Sequence, residues 1–264
     1  MVHVDRVNRK MGNGSTDPLL GELRGDVSCN AVLKTKGNPQ SLLALVNELV
    51  CFQLAKSVDL PVPDGGIAVL NDGTIVEAPD LVAPADMGNC FFSKYVERSN
   101  PAVGTVISGV SNKSDFEKVI LFDHVVYNKD RSKLNLLVSY EKREWRLIAI
   151  DHTHVFKNQT IWNAHCLKQG MQENDYLDEN IMESNFYGPF FESKNINIST
   201  LKMSSNIFAD RITGDYLDEV IDSIPEDWRT PSYDEDMTML KKYLLYRLSH
   251  IDDMCAMISK WSRR

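Results

Sequence analysis

The segment Asn128-Lys-Asp-Arg-Ser-Lys-Leu-Asn135 constrains the fold more than any other part of the sequence. This polar loop precedes two apolar runs, residues 136–140 and 145–150, which are predicted to form two strands of a β-hairpin. A second aspartate, Asp151, follows Asn135 by sixteen positions. An aspartate with an asparagine five positions later, and another aspartate beyond a hairpin, is a spacing that phosphoryl transfer uses.

The residue types at these positions suit that chemistry. A carboxylate such as Asp130 can accept the proton of a substrate hydroxyl, and the oxygens of Asn135 and Asp151 are hard ligands that suit Mg²⁺. Aspartate and asparagine also occur in loops because they favour turns, so the spacing alone is a weak signal. A charged loop between a predicted helix and two apolar strands strengthens the functional interpretation.

A second candidate pair lies upstream. Lys34 ends a strand-like run, and Glu48 lies fourteen residues later in a helix that is mostly apolar. A carboxylate in such a helix needs a cation nearby, and a strand lysine held by it could contact nucleotide phosphates. The alternative is that both charges simply face solvent. Lys36 projects from the same strand face, so the sequence alone leaves either lysine open as the phosphate ligand.

The segment Gly12-Asn-Gly-Ser-Thr16 is a third candidate. Its small residues would let backbone N–H groups converge on a phosphate. It matches neither a Walker loop nor a complete G-x-G-x-x-G motif, and an ordinary turn is the simpler interpretation.

Composition excludes several classes of protein. The 264 residues carry a formal charge of −8, which provides no general attraction for nucleic acid or an anionic membrane. The five cysteines are widely spaced and include no C-x-x-C pair, which favours a reducing cytoplasm over a disulfide or zinc framework. No run of about 18 apolar residues occurs, so we expect a cytoplasmic protein without a membrane span.

Periodicity predicts an α+β fold in two lobes. Residues 1–98 are expected to form a strand-rich lobe with one helix, and residues 99–264 a mainly helical lobe, which together make one domain with a cleft between the lobes. Within this plan, residues 1–37 contain a turn-rich stretch at residues 12–18 followed by two short strand-like pieces, which read as a glycine-rich hairpin. Asn38 and Pro39 are expected to start a helix that runs to Ser57, and residues 67–76 to form a hairpin. Residues 163–212 look irregular, with short helical stretches at best, and residues 240–258 share one helical face.

Taken in order, these features are a glycine-rich loop, a lysine, a helix glutamate, a base and two metal ligands. The sequence resembles the HipA-like kinases, compact bacterial relatives of protein and phosphoinositide kinases, over most of residues 6–258. The matching segments are residues 30–37, 46–50 with 54–55, 60–63, 122–131, 148–156 and 224–228.

This resemblance implies a role for each matching residue. Asp130 would be the catalytic base, Lys34 would contact ATP phosphates, and Glu48 would orient Lys34. Asn135 and Asp151 would bind Mg²⁺. The remaining nucleotide contacts would come from the loop residues Gly12, Gly14 and Ser15, and from Tyr95 and Val96 beside adenine. The sequence departs from the pattern of its relatives at two places. Asp151-His-Thr153 stands where protein kinases have D-F-G, which puts a D-F-G-type switch in doubt. Ser132 stands where some relatives have a histidine.

The resemblance therefore implies an ATP- and Mg²⁺-dependent kinase, with a Ser or Thr hydroxyl of a protein as the expected acceptor. A nucleotide-binding pseudokinase, a lipid or small-molecule kinase and a nucleotidyltransferase remain alternatives. Ser15 is a candidate for autophosphorylation, because relatives are modified in this loop. Toxin kinases of toxin–antitoxin systems look similar, so an antitoxin-type partner is possible, although the sequence shows no surface for one. The protein substrate stays unknown.

Overall fold

The N-terminal part of the chain is a six-stranded sheet that closes on itself. The structure is a computed structural model, which describes residues 1–12, 14–102, 109–141, 143–182, 187 and 196–261. β1 pairs with β2 in antiparallel fashion and with both β4 and β5 in parallel fashion, while β3 and β6 connect β2 to β4. The strands are β1 Val2–Lys10, β2 Leu19–Gly25, β3 Asn30–Lys34, β4 Gly65–Leu70, β5 Ile75–Val76 and β6 Gly88–Lys94.

Two features of this part differ from the sequence predictions. Residues 2–10, for which no strand was predicted, form the longest strand of the sheet, with Val4 and Val7 buried in its apolar interior. Residues 67–76 do not form a hairpin, because β4 and β5 each pair with β1 and not with each other. The turn between them is held by Asn71, whose side-chain oxygen accepts from the Gly73 amide at 2.9 Å.

The first helix, α1 (Leu42–Ser57), begins later than predicted. Asn38 does not cap it; its side chain donates to the carbonyls of Thr35 and Ser41 and so holds the preceding turn. Ser41, with φ of 78°, precedes the first helical residue. The helix is apolar on most faces, and Asn47 and Glu48 are buried within it.

The C-terminal part combines a three-stranded antiparallel sheet with most of the helices. β8 lies in the centre of that sheet, and the hairpin that it forms with β9 is the one predicted. The strands are β7 Ser99–Pro101, β8 Leu136–Glu141 and β9 Glu144–Ala149. The helices are α2 Asp115–Val125, α3 Ala164–Gln172, α4 Ile198–Arg211, α5 Gly214–Asp222, α6 Tyr233–Ser249 and α7 Ile251–Trp261.

The helices correct two further expectations. Residues 163–212 are not irregular throughout, because α3 and α4 lie within them; residues 183–186 and 188–195 are outside the described residues. The apolar face of residues 240–258 belongs to two helices that meet at His250. None of the helices in the described ranges is long and apolar enough to cross a bilayer.

One large apolar core joins α1 to the C-terminal helices. Leu45 and Leu49 of α1 belong to the same cluster of buried side chains as Phe116 of α2 and Leu244 of α6. The interior of the N-terminal sheet forms a separate, smaller cluster. Although α1 lies early in the sequence, it therefore packs as part of the helical half, and this packing fixes the position of Glu48.

Candidate active site

A cleft of about 390 Å³ opens between the N-terminal sheet and the C-terminal part. Seven of the residues singled out in the sequence line it: Gly14, Lys34, Glu48, Tyr95, Val96, Asn135 and Asp151. Its apolar lining comes from both sides and includes Val32 and Phe91 from the sheet, and Leu137 and Ile150 from the other side. Gly12, Ser15 and Asp130 are not part of this lining, and Asn13 is outside the described residues.

Lys34 occupies the centre of a buried polar network at the inner end of this cleft. Its ammonium donates to the carboxylates of Glu48 and Asp151, the latter at 2.8 Å, and to the Thr153 hydroxyl at 2.8 Å. The Thr153 hydroxyl donates in turn to Glu48 at 2.8 Å, and the His152 amide donates to the same oxygen at 3.1 Å. Glu48 thus binds both the lysine and the backbone next to Asp151.

The charges of this network set its protonation. Burial opposes the charged form of Lys34, but the carboxylates of Asp151 and Glu48 outweigh it and raise the pKa of the lysine. Burial likewise opposes ionisation of Asp151, yet the neighbouring ammonium holds the pKa of Asp151 well below its usual range. One ammonium cannot neutralise two carboxylates, and burial raises the pKa of Glu48, the less exposed of the two.

Lys34 and Lys36 have different surroundings in the structure. Lys36 forms an ion pair with Asp227 at 3.0 Å, away from the cleft lining. Asp227 also accepts from the backbone and side chain of Asn89, at 3.0 and 2.7 Å. Lys36 therefore helps to tie the end of the sheet to the segment before α6, whereas Lys34 faces the cleft.

The loop that carries Asp130 is held from below by Arg131, whose role the sequence analysis missed. The buried guanidinium of Arg131 donates twice to Asp123, at 2.9 Å each, and to the carbonyls of Asn135 and Ile150 at 2.6 and 2.8 Å. Burial would raise the pKa of Asp123, but the Arg131 guanidinium lowers it. The sequence does show a charged residue next to Asp130, but only the fold reveals that the Arg131 side chain is buried.

Asp130 lies at the surface, one residue before this buried arginine. Its amide donates to the side-chain oxygen of Asn128 at 2.9 Å, and its carbonyl accepts from the Asn135 side chain at 3.0 Å. The Asn135 amide nitrogen is thereby turned towards Asp130. Desolvation raises the pKa of the Asp130 carboxyl above its ordinary value.

The glycine-rich segment reaches the opposite side of the site. Gly12 and Gly14 have φ of 72° and 127°, in the region that favours glycine, and Gly14 lines the cleft. The Ser15 hydroxyl lies 2.8 Å from Nε2 of His154, in the segment that follows Asp151. The sequence analysis assigned no role to His154, and its contact with Ser15 depends on the fold.

Comparisons with known proteins place the chain in a family. The sequence profile of the HipA-like kinases matches residues 4–255. The chain belongs to the HipA-like kinase family. This kinase shows no significant match among curated protein sequences.

Solved structures with the same fold include the Helicobacter pylori proinflammatory kinase CtkA, which has a TM-score of 0.59 and 13% identity over 96% of this chain and 95% of that one. Hydra Fam20, determined with sugar, has a TM-score of 0.57 and 12% identity over 98% and 88% of the chains. HipA of Shewanella oneidensis, in complex with HipB and operator DNA, has a TM-score of 0.49 and 11% identity over 94% and 68%. The first two likenesses support a kinase-like fold with a strand-rich N-terminal part and a helical C-terminal part.

Proposed function

We propose that this HipA-like kinase binds Mg-ATP in the cleft and transfers its γ-phosphoryl group to a Ser or Thr hydroxyl of a protein. The observation that carries the proposal is the position of Lys34, held between Glu48 and Asp151 in a cleft that Asn135 also lines. A lysine that stays charged, and is oriented by a helix glutamate, is the arrangement with which kinases bind nucleotide phosphates.

The outer part of the cleft suits a purine. Val32, Phe91 and Leu137 provide apolar surface, and Tyr95 and Val96 border it in the connection that follows β6. Backbone groups of such a connection can bind the edge of a base while the apolar side chains cover its faces. The nucleotide would then direct its phosphates towards Lys34 and Gly14.

Asn135 and Asp151 fit a magnesium ion by the chemistry of their donors. Asp151 is held ionised by Lys34, and the hydrogen bond of the Asn135 side-chain nitrogen to Asp130 leaves its amide oxygen for another partner. Mg²⁺ prefers such oxygen ligands together with phosphate oxygens, and there it would neutralise charge on the phosphates. Lys34 binds and orients the same phosphates.

Asp130 is proposed to accept the proton of the acceptor hydroxyl. Its carboxylate lies at the surface beside the cleft, where a hydroxyl on another polypeptide can reach it. Arg131 fixes the backbone on both sides of the reacting position, because it binds the carbonyls of Asn135 and Ile150. Positioning of this kind contributes much of the rate of phosphoryl transfer.

A labelling experiment tests the proposal. The full chain is incubated with ATP labelled at the γ or the α phosphorus, with and without Mg²⁺, and with a mixture of proteins as acceptors. The proposal predicts Mg²⁺-dependent transfer of γ label to serine or threonine. Transfer of α label would indicate a nucleotidyltransferase. Label on added lipid or small alcohols would indicate another class of kinase, and thermal stabilisation by ATP without transfer would indicate a pseudokinase.

Cytoplasmic location and an antitoxin-type partner remain predictions of the sequence.

A further inference from the structure

A second cavity, of about 310 Å³, lies next to the Asp130 loop and outside the nucleotide cleft. One wall contains Tyr127 and Lys129, which immediately precede Asp130, and the other is formed by residues 156–161. The amide of Phe156 donates to the carbonyl of Val126 at 2.8 Å, which holds the two walls together. The cavity therefore adjoins the proposed base without sharing residues with the cleft.

The backbone of both walls is strained. Tyr127, Phe156, Asn158 and Gln159 have φ of 52°, 62°, 69° and 60°, although none of them is glycine. Bulky residues rarely adopt this conformation, and such strain is concentrated at sites that bind a ligand or do chemistry. The proposed nucleotide contacts use none of these four residues, so a different ligand in this cavity would account for the strain.

Two lysines line the cavity, one on each wall. Each wall contributes one lysine, and the ammonium groups of Lys129 and Lys157 lie 5.2 and 5.9 Å from the centre of the Tyr127 ring. Each lysine has a carboxylate neighbour, Asp178 at 3.5 Å and Glu173 at 2.6 Å. Neither carboxylate lines the cavity, and no acidic residue occurs among the described residues that do.

Apolar surface completes the cavity. Tyr127 and Phe156 are 5% and 1% exposed, whereas Ile161 is 75% exposed. A ligand that complements this lining would offer an apolar group to Ile161 and a negative charge to the lysines, in competition with Asp178 and Glu173. An exposed isoleucine beside two lysines suits a peptide better than it suits a free anion.

We propose that this cavity, here called the acceptor groove (Tyr127, Lys129, residues 156–159 and Ile161), binds the acceptor polypeptide and selects an acidic side chain close to the target hydroxyl. The inference rests on the proposed function, because Asp130 must be the base for the groove to lie beside the acceptor. Consecutive Cα atoms are about 3.8 Å apart. Since Lys129 adjoins Asp130, the acidic residue should lie within about three positions of the target serine or threonine, with an apolar residue nearby.

Serine peptides that differ only in their flanking residues test the groove. The parent protein is given peptides with glutamate, alanine or lysine around the serine, and both transfer and binding are measured, the latter by fluorescence anisotropy of labelled peptide. An exposed ion pair contributes roughly a 2- to 5-fold gain in affinity. The glutamate peptide should therefore bind and react about 2- to 5-fold better than the alanine peptide, mainly through KM, with an advantage that falls as salt is added.

Variants identify the lysines responsible. Lys129→Gln combined with Lys157→Gln should remove the preference for glutamate, whereas Lys168→Gln, an exposed lysine of α3 outside the groove, should keep it. Lys157→Glu should shift the preference towards the lysine peptide, which a misfolded variant could not do. Equal use of the three peptides by the parent, or an unchanged preference in the double variant, would overturn the groove.

The two proposals can fail separately. If the glutamate peptide binds in a lysine-dependent way but no γ-phosphoryl transfer to any acceptor occurs, the groove is a site for acidic peptides, whereas the proposed function, and with it the selection of an acceptor by the groove, is wrong. If transfer to serine or threonine occurs without preference for acidic peptides, the function stands and the groove is wrong.

Discussion

The Ser15 hydroxyl and Nε2 of His154 lie 2.8 Å apart, which joins the glycine-rich segment to the chain that follows Asp151. The two residues are 139 positions apart in the sequence. In the described structure the other ring nitrogen of His154 is buried without a hydrogen-bond partner. This contact places a hydroxyl of the segment beside the proposed phosphate site, and the state of Ser15 should therefore affect nucleotide binding.

We predict that Ser15 becomes phosphorylated when the protein is incubated with Mg-ATP. Ser15 is exposed, whereas the neighbouring Thr16 is buried. A phosphate adds about −1.5 to −2 charges, which would repel nucleotide phosphates and displace the segment. Mass spectrometry should find phosphate within residues 12–16, and the modified protein should bind ATP more weakly. Efficient phosphorylation elsewhere, with these residues unmodified, would contradict the prediction; Ser15→Ala is the control.

Replacing Lys34 should impair nucleotide use far more than replacing Lys36. Lys34→Ala removes the cation that faces the cleft, whereas Lys36→Ala breaks only the ion pair with Asp227. Glu48→Ala should resemble a milder Lys34→Ala, because it leaves the lysine charged but poorly oriented. ATP affinity and transfer are measured for each variant, with thermal unfolding as the check on folding. Equal losses of ATP affinity and transfer in Lys34→Ala and Lys36→Ala would show that the phosphate contact is assigned to the wrong lysine.

Asparagine substitutions should distinguish the two aspartates. Asp130→Asn should keep Mg-ATP affinity within a few fold while transfer falls by about 10²- to 10⁴-fold, the usual contribution of a general base. Asp151→Asn removes an anionic ligand and should weaken the Mg²⁺-dependent part of ATP binding as well as transfer. ATP titrations with and without Mg²⁺, alongside a transfer assay, measure both effects. Parental transfer by Asp130→Asn, or normal Mg-ATP binding by an active Asp151→Asn, would refute the assigned roles.

The pH dependence of transfer should reflect Asp130. A base accepts a proton only when it is ionised, and desolvation raises the pKa of the Asp130 carboxyl. As the pH falls, kcat/KM should therefore begin to decrease at a higher pH than the ordinary aspartate pKa of about 3.9 would give. This decrease should disappear from the residual activity of Asp130→Asn. If kcat/KM decreases in the same way in the parent and in Asp130→Asn, the decrease reports the titration of a group other than Asp130.

The ion pair of Arg131 with Asp123, which holds the Asp130 loop, should contribute strongly to the stability of the protein. Arg131→Met leaves the Asp123 carboxylate buried without its main cation, and removing one partner of such a pair costs roughly 3–5 kcal/mol of the free energy of unfolding. Lys133→Ala, at an exposed position of the same loop, should stay within about 0.5 kcal/mol of the parent. Urea unfolding measures both, and a small effect of Arg131→Met would show that the pair is dispensable.

Local sequence patterns predicted part of this fold well. The α1 helix and the β8–β9 hairpin have strong periodicity and were expected, apart from the start of the helix. β1 was missed because it carries only two buried valines among charged residues, and its stability comes from pairing with strands far along the chain. The same long-range pairing explains why β4 and β5 are not a hairpin.

For the site, sequence spacing singled out residues that the fold does gather near one cleft, although their roles remain proposals. It could not choose between Lys34 and Lys36, because it placed both on the same face of one strand. In the structure the strand ends at Lys34, and Lys36 lies in the turn that follows, where it pairs with Asp227, almost two hundred residues away. Arg131 and His154 were likewise beyond local patterns, because their contacts form between distant segments.

The packing of α1 into the helical core has a consequence for inhibitors. In protein kinases a helix glutamate pairs with the strand lysine, and the position of that helix controls activity. Here Leu45 and Leu49 are buried among side chains of the C-terminal helices, so an outward swing would expose apolar core to water. Compounds that act by wedging this helix away from the cleft should find no space to enter. Selective compounds should instead exploit the Ser15–His154 contact, which joins the glycine-rich segment to the chain after Asp151.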